Sequence, residues 1–378
     1  MKNSNLKLSG NSCRFIGAFG VAFAAGAFLL GVNSTSAEDF PLSPEFNRDG
    51  NNVIADQFNN RVIEAEPSGR IVWSYGLGPN DFSSNSIIGC NDAERVGFYT
   101  LMAGTGTPPG VIPQATNGAA DNRVILVDPF GKVVWQYGQF GVSGNGPDQL
   151  NTPVQNTFVP PFNVLITDQA NNRIIEVNFD KEIVWQYPGG NTNASDQLSN
   201  PNGAELLENG HILIADQGNN RAIEVTRSDK IVATLTAGGT VSVLAFASRL
   251  ENGHTLITDS GHARIVEVDK NDNVVWQYFT DTDPLSVAAP QPTRALRLSD
   301  GDTLISDQFN NRVLRINHAG KILDSYGLPL DGGGAIGNNA GYDLFSTQKG
   351  LYSPYDAKIV GDDTGITSPI DFDEFDRH

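Results

Sequence analysis

Beyond one long apolar run at residues 15–32, the chain carries its hydrophobic residues in short stretches rich in Val, Ile and Leu, each broken by a polar turn. Runs of that length and composition, bounded by turn formers, predict strands. The stretches also recur. Val53-Ile54-Ala55-Asp56-Gln57-Phe58-Asn59-Asn60-Arg61-Val62-Ile63-Glu64 returns as Leu165-Ile166-Thr167-Asp168-Gln169-Ala170-Asn171-Asn172-Arg173-Ile174-Ile175-Glu176. It returns again around Asp216 and Arg221, around Asp307 and Arg312, and more loosely around Asp259 and Arg264. One copy is interrupted between Ala103 and Asp121. Arginines 61, 123, 173, 221, 264 and 312 mark six copies.

Each copy has a strand on either side. Upstream, a short strand ends in a turn such as Asn209-Gly210, Asn252-Gly253 or Asp300-Gly301. These are hairpin dipeptides, because glycine supplies the positive φ of the turn. Downstream, a turn leads to a strand such as Val133-Val134-Trp135-Gln136-Tyr137. One repeat is therefore four antiparallel strands, a to d, and six repeats predict an all-β, six-bladed β-propeller. The first copy begins at Asp49-Gly50, without a strand a. Pro354 and Ala357 repeat the Pro-x-x-Ala pattern of Pro201 and Ala204, and of Pro292 and Ala295. The C-terminal strand is thus expected to complete the first blade and close the ring, which removes open sheet edges.

Composition agrees with a turn-rich β protein: 40 Gly, 20 Pro and only 18% charged residues. The N-terminus reads as a targeting segment. Lys2, Lys7 and Arg14 precede the uncharged run at 15–32, and Ser34-Thr35-Ser36-Ala37 follows. That is the layout of a secretory signal cleaved after Ala37, the alternative being a retained membrane anchor. The domain reading is 1–37 as signal or anchor and 38–378 as propeller with an acidic tail. The expected location is periplasmic or extracellular, with membrane association only if the segment stays uncleaved. Cys13 lies in that segment, so Cys90 is left without a disulfide partner and is expected to be a small buried residue. The net charge of −18 disfavours nucleic acid as a partner. It would favour a cationic ligand or a structural divalent metal, and the sequence specifies no cofactor.

The run Asp-Gln-x-Asn-Asn-Arg-Ile/Val-Ile-Glu, followed by Gly-Lys-Ile/Val-Val-Trp, resembles the NHL repeat. The linker Gly144-Asn145-Gly146-Pro147-Asp148-Gln149-Leu150-Asn151-Thr152-Pro153 is similar to that family's inter-repeat loop. The resemblance covers residues 44–361. It implies the fold more than an activity, since such propellers include RNA-binding, lyase and signalling members. Asn209-Gly210-His211-Ile212-Leu213-Ile214 bears a weaker similarity to arylsulfotransferase-like propellers, which use a catalytic His. His211 and His254 sit in repeated a–b turns, so that role is not carried over to them.

A residue found in every repeat serves the repeat. The Asp and Arg of each copy are expected to tie the b–c turn, and Trp73, Trp135, Trp185 and Trp276 to pack between blades. Function is expected where the copies differ. The insertion at 104–120 could lie across the channel mouth. Aligning the copies brings Asp92, Gln155, Gly203, Phe246, Arg294 and Asp356 to the start of strand a, around the channel entrance. There Arg294 opposite two Asp would suit a ligand of both charge types, or the three could simply pair with each other. His262 breaks the repeat on the same face. No H-E-x-x-H, paired-Cys, Walker or G-x-S-x-G motif occurs. The sequence thus favours a ligand- or protein-binding scaffold whose partner is a small molecule, glycan or protein, with Asp92, Gln155, Arg294, Asp356 and His262 as candidate ligand residues. The alternative is a propeller enzyme, a lyase, hydrolase or arylsulfotransferase type, with its site at the channel mouth.

Overall fold

The structure is a computed structural model, and it describes residues 42–190, 192–284, 286–327 and 350–362. The N-terminal segment 1–37, with Cys13 and Ala37, and the acidic tail at 371–376 lie outside the described residues.

Six four-stranded antiparallel sheets follow one another along the chain. Their inner strands are Pro354–Ile359 (blade 1), Cys90–Val96 (blade 2), Pro153–Val159 (blade 3), Gly203–Leu206 (blade 4), Leu244–Arg249 (blade 5) and Arg294–Arg297 (blade 6). Each inner strand touches the inner strands of the two adjacent blades, blade 6 meeting blade 1, so the six form a closed ring. The C-terminal strand pairs antiparallel with Asn52–Asp56, Ala357 opposite Ile54. Closure by the last strand is therefore as the sequence predicts.

Strands b and c are buried on both faces because each blade is sandwiched between two others, which is why they read as continuous apolar runs. Strand d is the outer edge and half exposed, as the pattern of Val133–Gly138 shows. The tryptophans do span blades. Trp73, Trp135, Trp185 and Trp276 donate Nε1–H to the carbonyls of Pro129, Phe179, Arg227 and His318 in the c–d turn of the following blade, at 2.8–3.1 Å. Arginines of that following blade stack on three of them: Arg95 on Trp73, Arg227 on Trp185 and Arg297 on Trp276. The same arginines neutralise the buried strand-c glutamates Glu64, Glu176 and Glu267.

The Asp-Gln-x-Asn-Asn-Arg run is a clamp on the loops of the upper face, where the b–c and d–a loops gather. In blade 1, Asp56 Oδ2 accepts from Asn59 Nδ2 and Arg61 Nε, each at 2.7 Å, while Oδ1 accepts the Tyr352 N–H at 2.7 Å. Arg61 then reaches the Gly350 carbonyl. Asp and Arg thus pin the loop that feeds their own blade's inner strand. The second Asn is left-handed, with φ near 50° at Asn60, Asn172, Asn220 and Asn311. Its Oδ1 accepts a backbone N–H from the loop of the next blade: Gly89, Asn200, Val243 and Ser353, respectively. Each of those donors also has positive φ.

Blade 5 breaks this last link. Ala263 takes the left-handed position at φ 51°, and the equivalent donor in the next loop is Gln291, at φ 48°. An alanine there carries a left-handed strain of about 1–2 kcal/mol and offers no acceptor. Ala263→Asn is expected to raise stability by about 1–2 kcal/mol, read as a higher urea midpoint with unchanged slope. An unchanged or lower midpoint would show that the asparagine is not what joins neighbouring loops.

Candidate functional site

The innermost strand of a propeller blade has no strand beyond it, so its N–H and C=O groups on that side need other partners. The channel-lining side chains provide them. Asp356 of blade 1 accepts the Ala93 N–H of blade 2 at 3.3 Å. Asp92 of blade 2 accepts the Asn156 N–H of blade 3 at 3.1 Å. Gln155 of blade 3 accepts the Ala204 N–H of blade 4 at 2.6 Å. Two residues further down, Glu94 accepts Phe158 N–H at 3.0 Å and Glu205 accepts Arg249 N–H at 2.8 Å.

The carbonyls of the same edges are taken by the two cations. Arg294 is 2% exposed and spans the channel. Its Nη2 donates to the carbonyls of Val154 and Asn202 at 3.3 and 3.1 Å, and its Nη1 to those of Ala245 and Thr293 at 3.4 and 3.3 Å. These come from blades 3, 4, 5 and 6. The guanidinium also lies 4.6 Å from the centre of the Phe246 ring and 5.3 Å from that of Tyr355. Gly203 makes room for this. A Cβ there would stand 2.8 Å from Gln155 Oε1 and 2.9 Å from Phe246 Cδ2. Lys358 donates to Asp92 and to the Ala93 carbonyl, each at 2.9 Å, and to Asp356.

The structure places Asp92, Gln155, Gly203, Phe246, Arg294 and Asp356 together in one ring at the channel. Its internal pairing differs from the expectation. Arg294 binds backbone carbonyls, and the two aspartates share one ammonium, that of Lys358, a residue that repeat alignment did not single out. Burial pushes Asp92 above the ordinary carboxylate range against the pull of the Lys358 ammonium. Burial would lower Lys358, but Asp356, Asp92 and Glu94 outweigh it and hold the amine charged. Burial also drives Glu94 and Glu205 up to about 8.

Above Arg294 lies a layer of amides. Gln308 Nε2 donates to Gln57 Oε1 at 2.9 Å, and Gln57 Nε2 to Asn91 Oδ1 at 2.7 Å. Across the mouth, Asn202 Oδ1 accepts from Tyr355 Oη at 2.9 Å and from Gln169 Nε2 at 3.4 Å. The glutamines come from the repeated b–c turns, and reading them as repeat furniture hid their convergence on the mouth. The insertion at 104–120 is folded. Thr107 and Ala119 bridge its stems, and Ile112 and Ala115 pack on Phe58 and Tyr352 of blade 1. Thr105 Oγ1 donates to the Pro153 carbonyl of blade 3 at 2.6 Å. Thr107 Oγ1 and Gln114 Oε1 are enclosed without a hydrogen-bond partner.

His262 stands on the rim of this face. Its Nδ1 lies 3.0 Å from Asp259 Oδ2, the place that Asn59, Asn171, Asn219 and Asn310 fill in other blades. The imidazole thus does an asparagine's work in the clamp. Cys90 is fully buried, its Sγ 3.4 Å from the Asp92 carbonyl, and burial pushes its thiol well up. Among the described residues, no group of three or more His, Cys, Asp or Glu side chains is placed to hold a metal ion.

Fold and site together define a six-bladed β-propeller whose channel is closed by a central arginine beneath a polar mouth. Among solved structures, a streptogramin B lyase resembles it at 14% identity and TM-score 0.50, over 75% of this chain and 80% of that one. A Bacteroides caccae protein of unknown function does so at 13% identity and TM-score 0.50, over 74% and 93%. Virginiamycin B lyase from Staphylococcus aureus matches at 16% identity and TM-score 0.44, over 64% and 70%. At these identities the likeness is one of fold. No family model matches the chain. No curated protein matches it.

Proposed function

We propose that this chain is an exported, non-catalytic binding module with an NHL-like repeat, and that the mouth of the propeller is its binding face. The observation that carries the reading is the division of labour there. The charged ring of Asp92, Arg294 and Asp356, with Lys358, is spent on the backbone edges of the channel. The layer above it is of neutral amides and one hydroxyl: Gln169 and Tyr355 are half-buried at the mouth, and Gln57, Gln308, Asn91 and Asn202 are buried behind them. Such groups suit a ligand that both donates and accepts hydrogen bonds without net charge, such as a glycan or the backbone of a peptide. The insertion forms a wall beside them, and Gln155 and His262 stand at its floor and rim.

The test is calorimetric titration of the purified protein with neutral oligosaccharides and uncharged peptides, preceded by an array screen. Binding is expected to fall roughly tenfold or more on Gln169→Ala and on Tyr355→Phe, with the melting temperature little changed. Turnover of an offered substrate, lost on His262→Ala, would overturn the proposal in favour of an enzyme at the mouth.

A further inference from the structure

Two hydrogen bonds tie each d–a loop to the upper face. In the loop that feeds blade 4, the Ser199 N–H donates to Asp216, the aspartate of that blade's own clamp, at 2.8 Å. The next N–H, of Asn200, donates to the left-handed Asn172 of the preceding blade at 2.7 Å. The loops that feed blades 1, 2, 3 and 5 carry the same aspartate bond and the same asparagine bond. The loop from blade 5 to blade 6 has neither. Pro290 stands where Ser199 stands in blade 4 and has no N–H to give. The alignment is fixed by a third bond: the Phe309 N–H meets the Pro290 carbonyl as the Gly218 N–H meets that of Ser199. The asparagine is lost as well, since Ala263 holds its left-handed place.

These losses leave charged groups unmet. Asp307 Oδ1 and Arg312 Nη2 are enclosed without a hydrogen-bond partner, in side chains that are themselves fully buried. The equivalent Nη2 of Arg123, Arg173 and Arg221 reaches a loop carbonyl, of Ser86, Gln149 and Gln197 respectively. Arg312 instead turns Nη1 to Asp283 Oδ2 at 2.6 Å. Gln291 keeps the positive φ of its counterparts, 48°, without the bond that offsets it elsewhere. From Ala288 to Pro292 the one hydrogen bond is that from Phe309 to the Pro290 carbonyl, at 2.9 Å. The two ends are held. The Val287 N–H donates to Asn310 Oδ1 at 2.8 Å, and Thr293 bonds the Ser306 carbonyl at 3.0 Å and that of Tyr355 at 2.6 Å.

We propose that Ala288–Pro292 is a flap on the rim of the mouth, which opens and closes while the rest of the propeller stays folded. Closed, it shuts a carboxylate oxygen and a guanidinium N–H away from water with nothing to bond. Open, it lets water reach both, so its closed state bears a cost that the tethered loops do not. Local opening there is correspondingly easier than anywhere else on the rim. Pro290 and Pro292 stiffen the segment, which moves as one piece between its held ends. Its place gives the movement a use. Thr293, where the flap ends, is followed by Arg294, and the Phe309 that it holds is preceded by Gln308, which is buried while the flap is closed. Opening clears the rim beside Gln308 and widens the mouth at blade 6. The flap's freedom is set by hydrogen bonds of the rim alone and holds whatever the mouth binds.

The Phe309 amide reports on the flap, and the Ala170 and Gly218 amides, which make the same bond to Asn151 and Ser199 in tethered loops, are its controls. The test is residue-resolved hydrogen exchange of the full chain, each rate divided by that of the unstructured chain. Phe309 is expected to be roughly a hundredfold less protected than Ala170 and Gly218, about tenfold for each missing bond. Its rate should not change in low urea, as befits an opening that exposes little surface. Ala263→Asn with Pro290→Ser restores both bonds, serine being the residue at that point of the loops that feed blades 4 and 5. The double variant is expected to protect Phe309 roughly tenfold or more and to leave the two controls as they were. Equal protection of the three amides in the unaltered protein would overturn the proposal, and would mean that a buried water stands in for the Pro290 N–H. A Phe309 rate that climbs with urea as global unfolding does would overturn it too. So would a folded double variant, or Ala263→Asn alone if the double variant does not fold, in which Phe309 exchanges as fast as before.

Discussion

Replacing Arg294 by methionine is expected to cost the propeller about 3–5 kcal/mol, a large share of what holds a domain together. The side chain is among the largest fully buried ones, and its guanidinium meets four carbonyls from four blades. Methionine fills much of the volume but leaves those acceptors facing an apolar group. Each unmet buried carbonyl costs of order 1 kcal/mol or more. Contact with Phe246 and Tyr355 is also weakened, since the rings lose the cation above them. Arg294→Lys separates the two effects. It keeps the charge but not the planar fork that reaches carbonyls on both sides, and should fall between wild type and methionine. Urea unfolding at neutral pH checks the series. A methionine variant with the wild-type midpoint would mean that the ring is closed by blade packing alone. Because this residue holds the fold, loss of binding on its removal would say little about ligand contact.

The architecture is legible in the sequence because each blade is built from the same instructions. Asp56 and Arg61 pin a loop, Trp73 reaches the next blade, and the copies of each do the same at their own positions. Repetition turns one local rule into a ring, and the missing strand a of the first copy then points to Pro354 and Ala357. The ring at the channel is legible for the same reason. Alignment places Asp92, Gln155, Arg294 and Asp356 at one level, and the one-residue offset at Asp92 comes from its shorter a–b turn, Val96 pairing with Tyr99 where Val159 pairs with Asn163.

What alignment does not convey is who pairs with whom across the channel. Opposite charges at one level suggest salt bridges, yet the unpaired edge of strand a makes a stronger claim on them. Arg294 goes to carbonyls and Asp92 to an N–H because buried backbone groups left unmet cost more than a carboxylate and a guanidinium gain by meeting. Lys358 stays hidden for a related reason. It occupies the level of Glu94, Thr157, Glu205 and Ser248, where glutamate recurs only once and no common residue sets a pattern to depart from.

The channel carboxyls make stability depend on pH in an unusual sense. Glu94 and Glu205 titrate at about 8 in the fold, against an ordinary value of 4.5. Between those limits the native state binds more protons than the unfolded chain, so the stability they contribute is complete below about pH 4.5 and is lost as pH rises through 8. Each can remove up to about 4 kcal/mol over that interval. The groups facing Glu94 are the Phe158 N–H, Lys358, Asp92 and Asp356, and Glu205 faces the N–H and guanidinium of Arg249. Glu224 acts in the opposite sense: burial raises it, but bonds from His211 and Asn209 outweigh burial and hold it below the usual range. Its contribution is present above 4.5 and lost as pH falls. Stability is therefore expected to peak near pH 5 and to decline toward pH 8. Glu94→Gln and Glu205→Gln keep an oxygen for Phe158 and Arg249 and remove the titration, so the double variant should be more stable than wild type at pH 8 and nearly equal to it at pH 5. Urea midpoints measured across that interval decide it. A wild-type profile that rises toward pH 8, or a double variant that keeps the wild-type slope, would mean that water in the channel solvates both carboxylates as well as bulk solvent does.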